Sequence, residues 1–452
     1  MEDRKKMKKI RVWVGIAVLV GFAAVWFVVT NAPVEYTVPP RLALPNPNAY
    51  DTYMKAAQNI VCKDQIWEAD STTPPASSEF PLLHRDSKPL PPGVPVAGTL
   101  HRLYYLAEKQ AVVEANAKAL NIFREGLDQD FLLPLQTDNN TPKLSEIRNV
   151  SRLIALESIV FRESGENGKA MMSCLDGMKM ANDIAIGGNL FPALVSNAMQ
   201  VIARNEAWET IASLRQTETQ EAIARLNNIL VEAFPFKSIL IEEKNSLLSM
   251  SQELCNSKNW RSQYIEFPPA NPWFTDKPVT WEYYAKYSMK YAGTLGMSRR
   301  GLYSSVEGDM EKQVNAADLS YPEYCRMNIL ESNKITREVF PAYKKFRFKY
   351  EYNRCMNDLL LLQLSLHAYE LEHGKYPVKL DELMPKYLAN APMDPFTSGA
   401  EYKYNRRSNG YMLYSVGPDL KDDGGKAVVC ANPKFRYVVG SDKGDIVAGF
   451  NR

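Results

Sequence analysis

The chain has 452 residues, of which 45% are hydrophobic and 23% are charged. This length is too great for one ordinary core and predicts two or three folded domains. The net charge is only +2, and no basic stripe with interleaved aromatic residues follows the first eleven positions. These features argue against a nucleic-acid-binding protein.

The first thirty residues have the pattern of a membrane anchor. Six Lys and Arg residues lie within residues 1–11, and residues 12–30 carry no charge. Nineteen helical residues at 1.5 Å each span about 28 Å, close to the ~30 Å hydrocarbon thickness of a bilayer. Trp13 and Trp26 lie toward the two ends, where interfacial aromatic residues are common. We therefore predict a transmembrane helix over residues 12–30.

The basic flank also predicts the orientation of this helix. Residues 1–11 should stay in the cytoplasm, which places residues 31–452 outside a bacterial inner (cytoplasmic) membrane that the chain crosses once. A cleaved signal peptide is the alternative. The apolar run is long for such a peptide, and Asn31-Ala32-Pro33 offers no clear small-x-small cleavage site. We predict an uncleaved signal anchor.

A proline-rich segment follows, and then a long helical region. Residues 31–47 contain five prolines and predict an extended tether. Asn48 has the character of a helix N-cap. Beyond it, apolar residues recur at spacings of three, four and seven, as at Ile147, Val150, Ile154 and Phe161. Short turns separate such segments, so residues 48–340 are predicted to form a large extracytoplasmic helical domain, built as an α-hairpin bundle or irregular solenoid.

Six cysteines are scattered along the chain without a Cys-x-x-Cys pair. An oxidising compartment permits disulfides, but six cysteines allow 15 pairings and the sequence does not choose among them. The scatter gives no support for a metal cluster or a redox motif.

The last part of the chain changes from helix to strand. A long apolar helix is predicted from about Tyr343 to His373. The segments Tyr402–Asn405 and Tyr411–Val416 predict an antiparallel pair. Three more segments could extend the sheet: Val428–Cys430, Phe435–Val439 and Ile446–Phe450. Residues 341–452 are thus predicted to be an α+β domain in a chain that is otherwise mainly α.

Several short motifs in this region occur in a characteristic order. Gly374-Lys375-Tyr376-Pro377 follows the long helix, and Asp394-Pro395-Phe396 and the segment from Tyr414 to Gly425 come later. Over Met356–Gly425 this order resembles the globular part of the major pseudopilin of bacterial type II secretion systems. The resemblance implies a long helix packed on a small antiparallel sheet, and partners among secretion or pilus-like proteins.

The N-terminus departs from the pseudopilin pattern. That family has a basic leader, a Gly-Phe processing site and a Glu five residues into the apolar helix. Here Gly21-Phe22 lies inside the apolar run, and Trp26 stands where the Glu would be. We therefore predict a pseudopilin-like domain fused behind a separate helical module, without standard processing.

The acidic loop after the predicted second strand is the best candidate for a metal site. Three carboxylates within five residues, on a glycine-rich loop, are suited to Ca²⁺. The resemblance implies calcium ligands at Ser415, Gly417, Asp419, Asp422 and Asp423. The loop is shorter than is usual in the family and contains Lys421, so a solvated turn is the alternative.

No catalytic motif stands out in the sequence. His367 and His373 are six residues apart, about 120° around a helix, and cannot share one ligand face with Glu370. Carboxylates alone can carry out acid/base catalysis, as in glycosidases, but nothing marks such a pair. We predict a membrane-anchored binding or assembly protein. The alternative is an extracytoplasmic carbohydrate- or cell-wall-binding protein or hydrolase that uses a cavity in the helical domain, because 24 Tyr and 7 Trp could stack on sugars.

Overall fold

A computed structural model describes most of the chain. The described residues are 13, 16, 18–22, 25, 26, 28, 29, 31–61, 105–135, 143–266, 290, 294, 296–329, 331–408, 410–428 and 438–449. They form a mainly helical structure with one small antiparallel sheet, as the sequence predicts.

The helices follow one another with short connections through most of the described chain. They are α1 (Ala49–Asn59), α2 (Leu106–Ala115), α3 (Ala117–Gly126), α4 (Leu144–Glu163), α5 (Asn167–Ala185), α6 (Leu190–Thr210), α7 (Gln216–Val231), α8 (Phe236–Asn256), α9 (Trp260–Glu266), α10 (Arg299–Ala316), α11 (Tyr321–Arg326) and α12 (Lys334–His373). The N-cap predicted at Asn48 is confirmed, because its side chain accepts a hydrogen bond from the Tyr50 N–H.

The long helix begins earlier than the sequence indicates. It starts at Lys334 instead of near Tyr343. The Asn333 side chain accepts a hydrogen bond from the Thr336 N–H at 3.0 Å, which satisfies one of the free donors of the first turn. Ile335 is fully buried there, so packing also holds the added turns in place.

The sheet has three described strands in the order β1-β2-β3. They are β1 (Lys403–Arg407), β2 (Gly410–Ser415) and β3 (Ile446–Val447). The predicted β1–β2 pairing is confirmed, with Lys403 opposite Tyr414 and Arg407 opposite Gly410. The third strand pairs antiparallel with β2 near Tyr414. Residues 429–437, where more strand was predicted, lie outside the described residues.

The chain divides into two compact units. The first unit comprises Met1–Arg41, Glu243–Ala317 and Asn328–Tyr343, and the second comprises Leu42–Glu242, Asp318–Met327 and Lys344–Arg452. Most of the helical region and the α+β region therefore belong to the same unit. The division at residues 340 and 341 into a helical and a pseudopilin-like domain remains a prediction.

One hydrophobic core in the second unit joins the α+β region to four helices of the helical region, α5, α6, α7 and α11. Leu359, Leu360 and Leu362 of α12 are fully buried in a cluster that also contains Cys174 of α5 and Leu226 of α7. Each fully buried Leu of this kind stabilises the fold by roughly 1.5–3 kcal/mol. The cluster continues into the sheet through Leu413 and Ile446. The apolar surface of α12 is thus covered by helices on one side and by the sheet on another.

A second core lies among α1, α3, α4 and α5 in the same unit. Its centre is the fully buried Tyr53, whose ring packs against Phe123 and Phe131 with centroids 5.9 and 6.1 Å away. The Tyr53 hydroxyl donates a 2.7 Å hydrogen bond to Asp183 of α5, so the ring's polar end is satisfied inside the core.

A buried arginine connects α6 to α12. Arg204 is 2% exposed, and its Nη1 donates hydrogen bonds to the side-chain oxygens of Asn353 at 2.6 Å and Asn357 at 2.7 Å. Burial lowers the pKa of its guanidinium to about 10. The Nε atom has no hydrogen-bond partner among the described residues. The charge is therefore held by neutral amide oxygens.

Within residues 12–30, the described positions are helical and present large apolar side chains to solvent, among them Trp13, Leu19 and Phe22 at about 70% exposure. Across the described part of the chain, no helix has both the length and the apolar character needed to span a bilayer. The rest of the predicted anchor lies outside the described residues.

The described cysteines are free thiols: Cys174, Cys255, Cys325 and Cys355. Burial raises the pKa of the Cys174 thiol to about 12, so it stays protonated in the core. Cys62 and Cys430 lie outside the described residues.

Candidate binding and anchoring sites

The end of β2 is organised around one buried carboxylate, Asp394. Its Oδ1 accepts hydrogen bonds from the Ser415 hydroxyl at 2.7 Å and from the Phe396 N–H at 2.9 Å. Its Oδ2 accepts one from the Val416 N–H at 3.0 Å. Burial raises the pKa of Asp394, while these three donors oppose that rise. The carboxylate therefore fastens the turn at residues 394–397 to the strand.

Ser415, a predicted calcium ligand, belongs to this arrangement. Its hydroxyl donates to Asp394, and its oxygen accepts the Gly417 N–H at 3.2 Å. The residue is fully buried. Its oxygen thus joins the strand end to the following turn, and its role as a calcium ligand remains a prediction.

Asp422 lies at the surface and fixes the start of the turn that contains Gly424 and Gly425. Its Oδ1 accepts hydrogen bonds from the Tyr414 hydroxyl and the Gly424 N–H, both at 3.0 Å. The Nζ of Lys403 lies 3.4 Å from its other oxygen. The Gly424 N–H, above the other donors, lowers the pKa of this carboxyl. A hydrogen-bonded carboxylate of this kind needs no metal ion to be satisfied.

The other two predicted ligands have different surroundings. Asp419 accepts a hydrogen bond from the Lys421 N–H at 3.3 Å, which closes a local turn. Asp423 has an exposed side chain, and its N–H donates to Asp445 at 3.2 Å. Asp445 also accepts the Gly425 N–H at 2.6 Å and is fully buried. Asp445 was not predicted from the sequence, although it comes directly before the last predicted strand.

Glycine is required where the loop passes close to the segment before β3. Gly417 has φ +74°, and a Cβ atom there would lie 2.3 Å from the Gly444 carbonyl oxygen. Any other residue would both strain the backbone and clash with it. The acidic loop therefore packs directly against the backbone of residues 444–445.

The geometry gives the calcium prediction no added support. Among the residues that the structure describes, no group of three or more His, Cys, Asp or Glu side chains could hold a metal ion. Ser415 is engaged elsewhere, and Asp422 is already hydrogen-bonded. Calcium binding by Ser415, Gly417, Asp419, Asp422 and Asp423 therefore remains a prediction.

Calorimetric titration of the full chain tests this prediction. If the loop binds calcium, titration to millimolar Ca²⁺ gives a saturable heat, the range expected of an extracellular site. Asp423→Asn should abolish that heat, because it removes an exposed carboxylate. Asp381→Asn, at an exposed position on a different turn, should leave it unchanged. No calcium-dependent heat at millimolar ion would make the loop a hydrogen-bonded turn.

A buried carboxylate lies on the face of α12 beneath the sheet. Asp358 accepts a 3.0 Å hydrogen bond from the hydroxyl of Tyr402, which is itself 3% exposed. Burial raises the pKa of Asp358 to about 7, against the opposing influences of Arg354 and the Tyr402 hydroxyl. This group was not predicted from the sequence, because an Asp in a helix is usually solvated.

Asp358 should make stability depend on pH. Its pKa in the folded state, about 7, exceeds the unfolded value of about 3.9, so the folded state binds the proton more tightly. The contribution to the free energy of unfolding is present below about pH 4 and is lost as the pH rises through 7. The loss should amount to about 4 kcal/mol.

Urea unfolding of wild type and Asp358→Asn at several pH values measures this effect. Asn keeps an acceptor for Tyr402 but cannot ionise. The variant's stability relative to wild type should therefore rise between pH 4 and 7. Asp381→Asn serves as the exposed control and should follow wild type. Parallel profiles for wild type and Asp358→Asn would contradict the assignment.

Two buried carboxylates of the helical region form ion pairs with arginine side chains. Glu157 of α4 accepts from Arg124 and from the Ser173 hydroxyl. Asp176 of α5 pairs with Arg124 and Arg225. These contacts tie neighbouring helices together and leave both carboxylates neutralised by guanidinium groups. The alternative of a hydrolase remains a prediction.

The histidines on α12 have structural partners. The Nε2 of His367 donates to the Leu214 carbonyl at 3.1 Å, and Glu370 lies 3.7 Å from its Nδ1. The ring of His373 stacks on Tyr369 with centroids 4.0 Å apart.

The beginning of the predicted tether is bound to the first unit. The side chain of Asn256, at the end of α8, accepts from the Val34 N–H at 2.9 Å and donates to the Val34 carbonyl at 2.8 Å. The Tyr36 hydroxyl donates to Asn245 at 2.7 Å, and its ring lies 6.3 Å from that of Tyr303. Val34 is 5% exposed. The segment has no regular secondary structure, yet it is fixed in place.

The apolar segment just before this tether presents Phe22, Val25, Trp26 and Val29 side by side. Each of these four side chains is more than half exposed, so together they form an apolar surface.

Comparison of the chain with family models, curated proteins and solved structures gave no match. The likeness to the major pseudopilin therefore depends on the residues quoted for it and remains a prediction.

Proposed function

We propose that the chain is a membrane-anchored, extracytoplasmic binding or assembly protein. The observation that carries the proposal is the exposed apolar surface of the helical positions within residues 12–30, where Leu19, Phe22 and Trp26 are each about 70% exposed. Exposed apolar patches of this kind mark interaction or membrane surfaces. With the basic residues before it, this segment would anchor the chain in the cytoplasmic membrane of a bacterium.

The fixed tether supports the same proposal. Only residues 31–33 separate the apolar segment from Val34, which Asn256 holds by two hydrogen bonds. An anchor joined so closely to a folded unit would hold that unit at the membrane surface. A cleaved signal peptide needs no such connection.

Alkaline carbonate extraction of membranes tests the anchor. The wild-type chain should remain in the membrane pellet. Leu19→Asp with Val20→Asp should move it to the supernatant, because each acidic residue near the helix centre costs about 2.5–3.5 kcal/mol of insertion free energy. Val38→Asp, which changes an exposed apolar residue outside the segment, should remain in the pellet. Release of the wild-type chain by carbonate would rule out the anchor.

The α+β region is the part that we propose to contact other proteins of a secretion or pilus-like machinery. Its resemblance to the major pseudopilin suggests this class of partner. Strand β1 lies at an edge of the described sheet and exposes Arg406 and Arg407. Edge strands offer unpaired backbone groups, and charged side chains limit which partners can use them. An acidic or polar strand edge on a partner would fit this site.

In-cell crosslinking of the tagged full chain, followed by mass spectrometry, tests the proposed partners. The wild-type chain should capture pilins, pseudopilins or components of the secretion platform. Arg406→Glu with Arg407→Glu should reduce that capture at least about tenfold, because like charges across a contact cost several kcal/mol. Lys55→Glu with Lys118→Glu, at exposed positions in the helical region, should leave capture unchanged. Recovery of the chain alone would contradict the proposal.

A further inference from the structure

One end of the first unit is built where α8, α9 and α10 meet, and it is the end that the tether reaches first. Asn256, the last residue of α8, binds Val34, whereas Asn245, eleven residues earlier on that helix, binds Tyr36. The chain thus enters at the C-terminal end of α8 and runs back along it. The apolar segment leaves from the side of Asn256.

Hydrogen bonds from arginine side chains to backbone carbonyls join the three helix ends into one surface. The Arg261 guanidinium donates to the carbonyls of Thr294 at 3.2 Å and Met297 at 3.0 Å. It also lies over the Trp260 ring, 4.3 Å from the centroid. Arg299 donates to the Ser257 carbonyl at 3.5 Å. We name this surface, comprising residues 256–261 and 297–300, the proximal end.

The proximal end lies close to the end of the apolar segment. Four residue steps connect Thr30 to Val34, and a chain spans at most about 3.3–3.6 Å per residue, so the separation is no more than about 14 Å. The headgroup layer on each side of the hydrocarbon core is roughly 5–8 Å thick. Charges act across about 8 Å at physiological ionic strength. A bilayer around the apolar segment would therefore reach the proximal end.

The charges at this end are mainly positive. Lys258 and Arg300 are exposed, and Arg261 and Arg299 are half-buried. Two exposed carboxylates lie nearby, Glu35 on the tether and Glu253 one turn back on α8. Four cations against two carboxylates leave an excess of two positive charges. The exposed members of this set, Lys258 and Arg300, each lie next in sequence to a residue of the Arg299–Ser257 contact.

We propose that the proximal end binds anionic phospholipid headgroups, with Lys258 and Arg300 as the residues that contact their phosphates. The inference depends on the proposed membrane anchor and adds to it a lipid preference and a fixed orientation. Basic residues close to a bilayer favour anionic over zwitterionic lipids. The first unit would then be oriented with the C-terminal end of α8 and the N-terminal end of α10 facing the membrane.

Photocrosslinking in vesicles tests the proposal on the full chain. A p-benzoylphenylalanine introduced at Asn259, an exposed position next to Lys258, should form adducts with lipid in vesicles of equal phosphatidylglycerol and phosphatidylcholine. The anionic lipid should be enriched about tenfold, since each cation near the surface favours it severalfold. The same probe at Asn315, exposed at the far end of α10 about 22 Å along the helix, should form none.

Charge variants separate this proposal from the anchor. In the double variant Lys258→Gln with Arg300→Gln, the adducts formed at Asn259 should contain the two lipids in nearly equal amounts. Lys312→Gln, at the far end of α10, should keep the enrichment of the anionic lipid. A chain that resists carbonate extraction but gives no lipid adducts at Asn259, or adducts without anionic enrichment, would overturn the lipid assignment and leave the anchor standing. A chain that carbonate releases would overturn both.

Discussion

The packing of α12 against α5, α6 and α7 is the contact on which the second unit depends. Four consecutive leucines, Leu359 to Leu362, are each no more than 5% exposed, so the helix is apolar on every side over this stretch. Such a helix is stable in water only when it is enclosed. Helices cover one part of its surface and the small sheet covers another. Within the second unit, the α+β region is consequently folded against α5, α6 and α7.

Much of the architecture could be predicted from the sequence, because local patterns determine it. Apolar spacing of three and four predicted the helices, and alternation predicted β1 and β2. The start of α12 was misplaced because it depends on Asn333 and on a buried Ile335, and burial is a tertiary property. The fixing of the tether by Asn256 was also beyond prediction, since the two residues are 222 positions apart.

The acidic loop shows why the candidate site was harder to predict. An Asp near glycine has the same local appearance whether it binds a cation or accepts backbone N–H groups, because both roles satisfy the same oxygen atoms. The structure shows Asp394, Asp422 and Asp445 in the second role. Two of these three organise the loop from outside its predicted boundaries. Only the spatial approach of residues 394 and 445 to the end of β2 reveals their importance.

Arg204 has a consequence for how α12 lies against α6. Asn353 and Asn357 are one turn apart on α12, and both side-chain oxygens bind the same Nη1 atom. A slide of α12 by one residue would rotate its face by about 100° and carry both amides away from the buried charge of Arg204. Leucines tolerate such slippage, because one apolar contact resembles another. The buried Arg204 guanidinium therefore favours one register of α12 against α6.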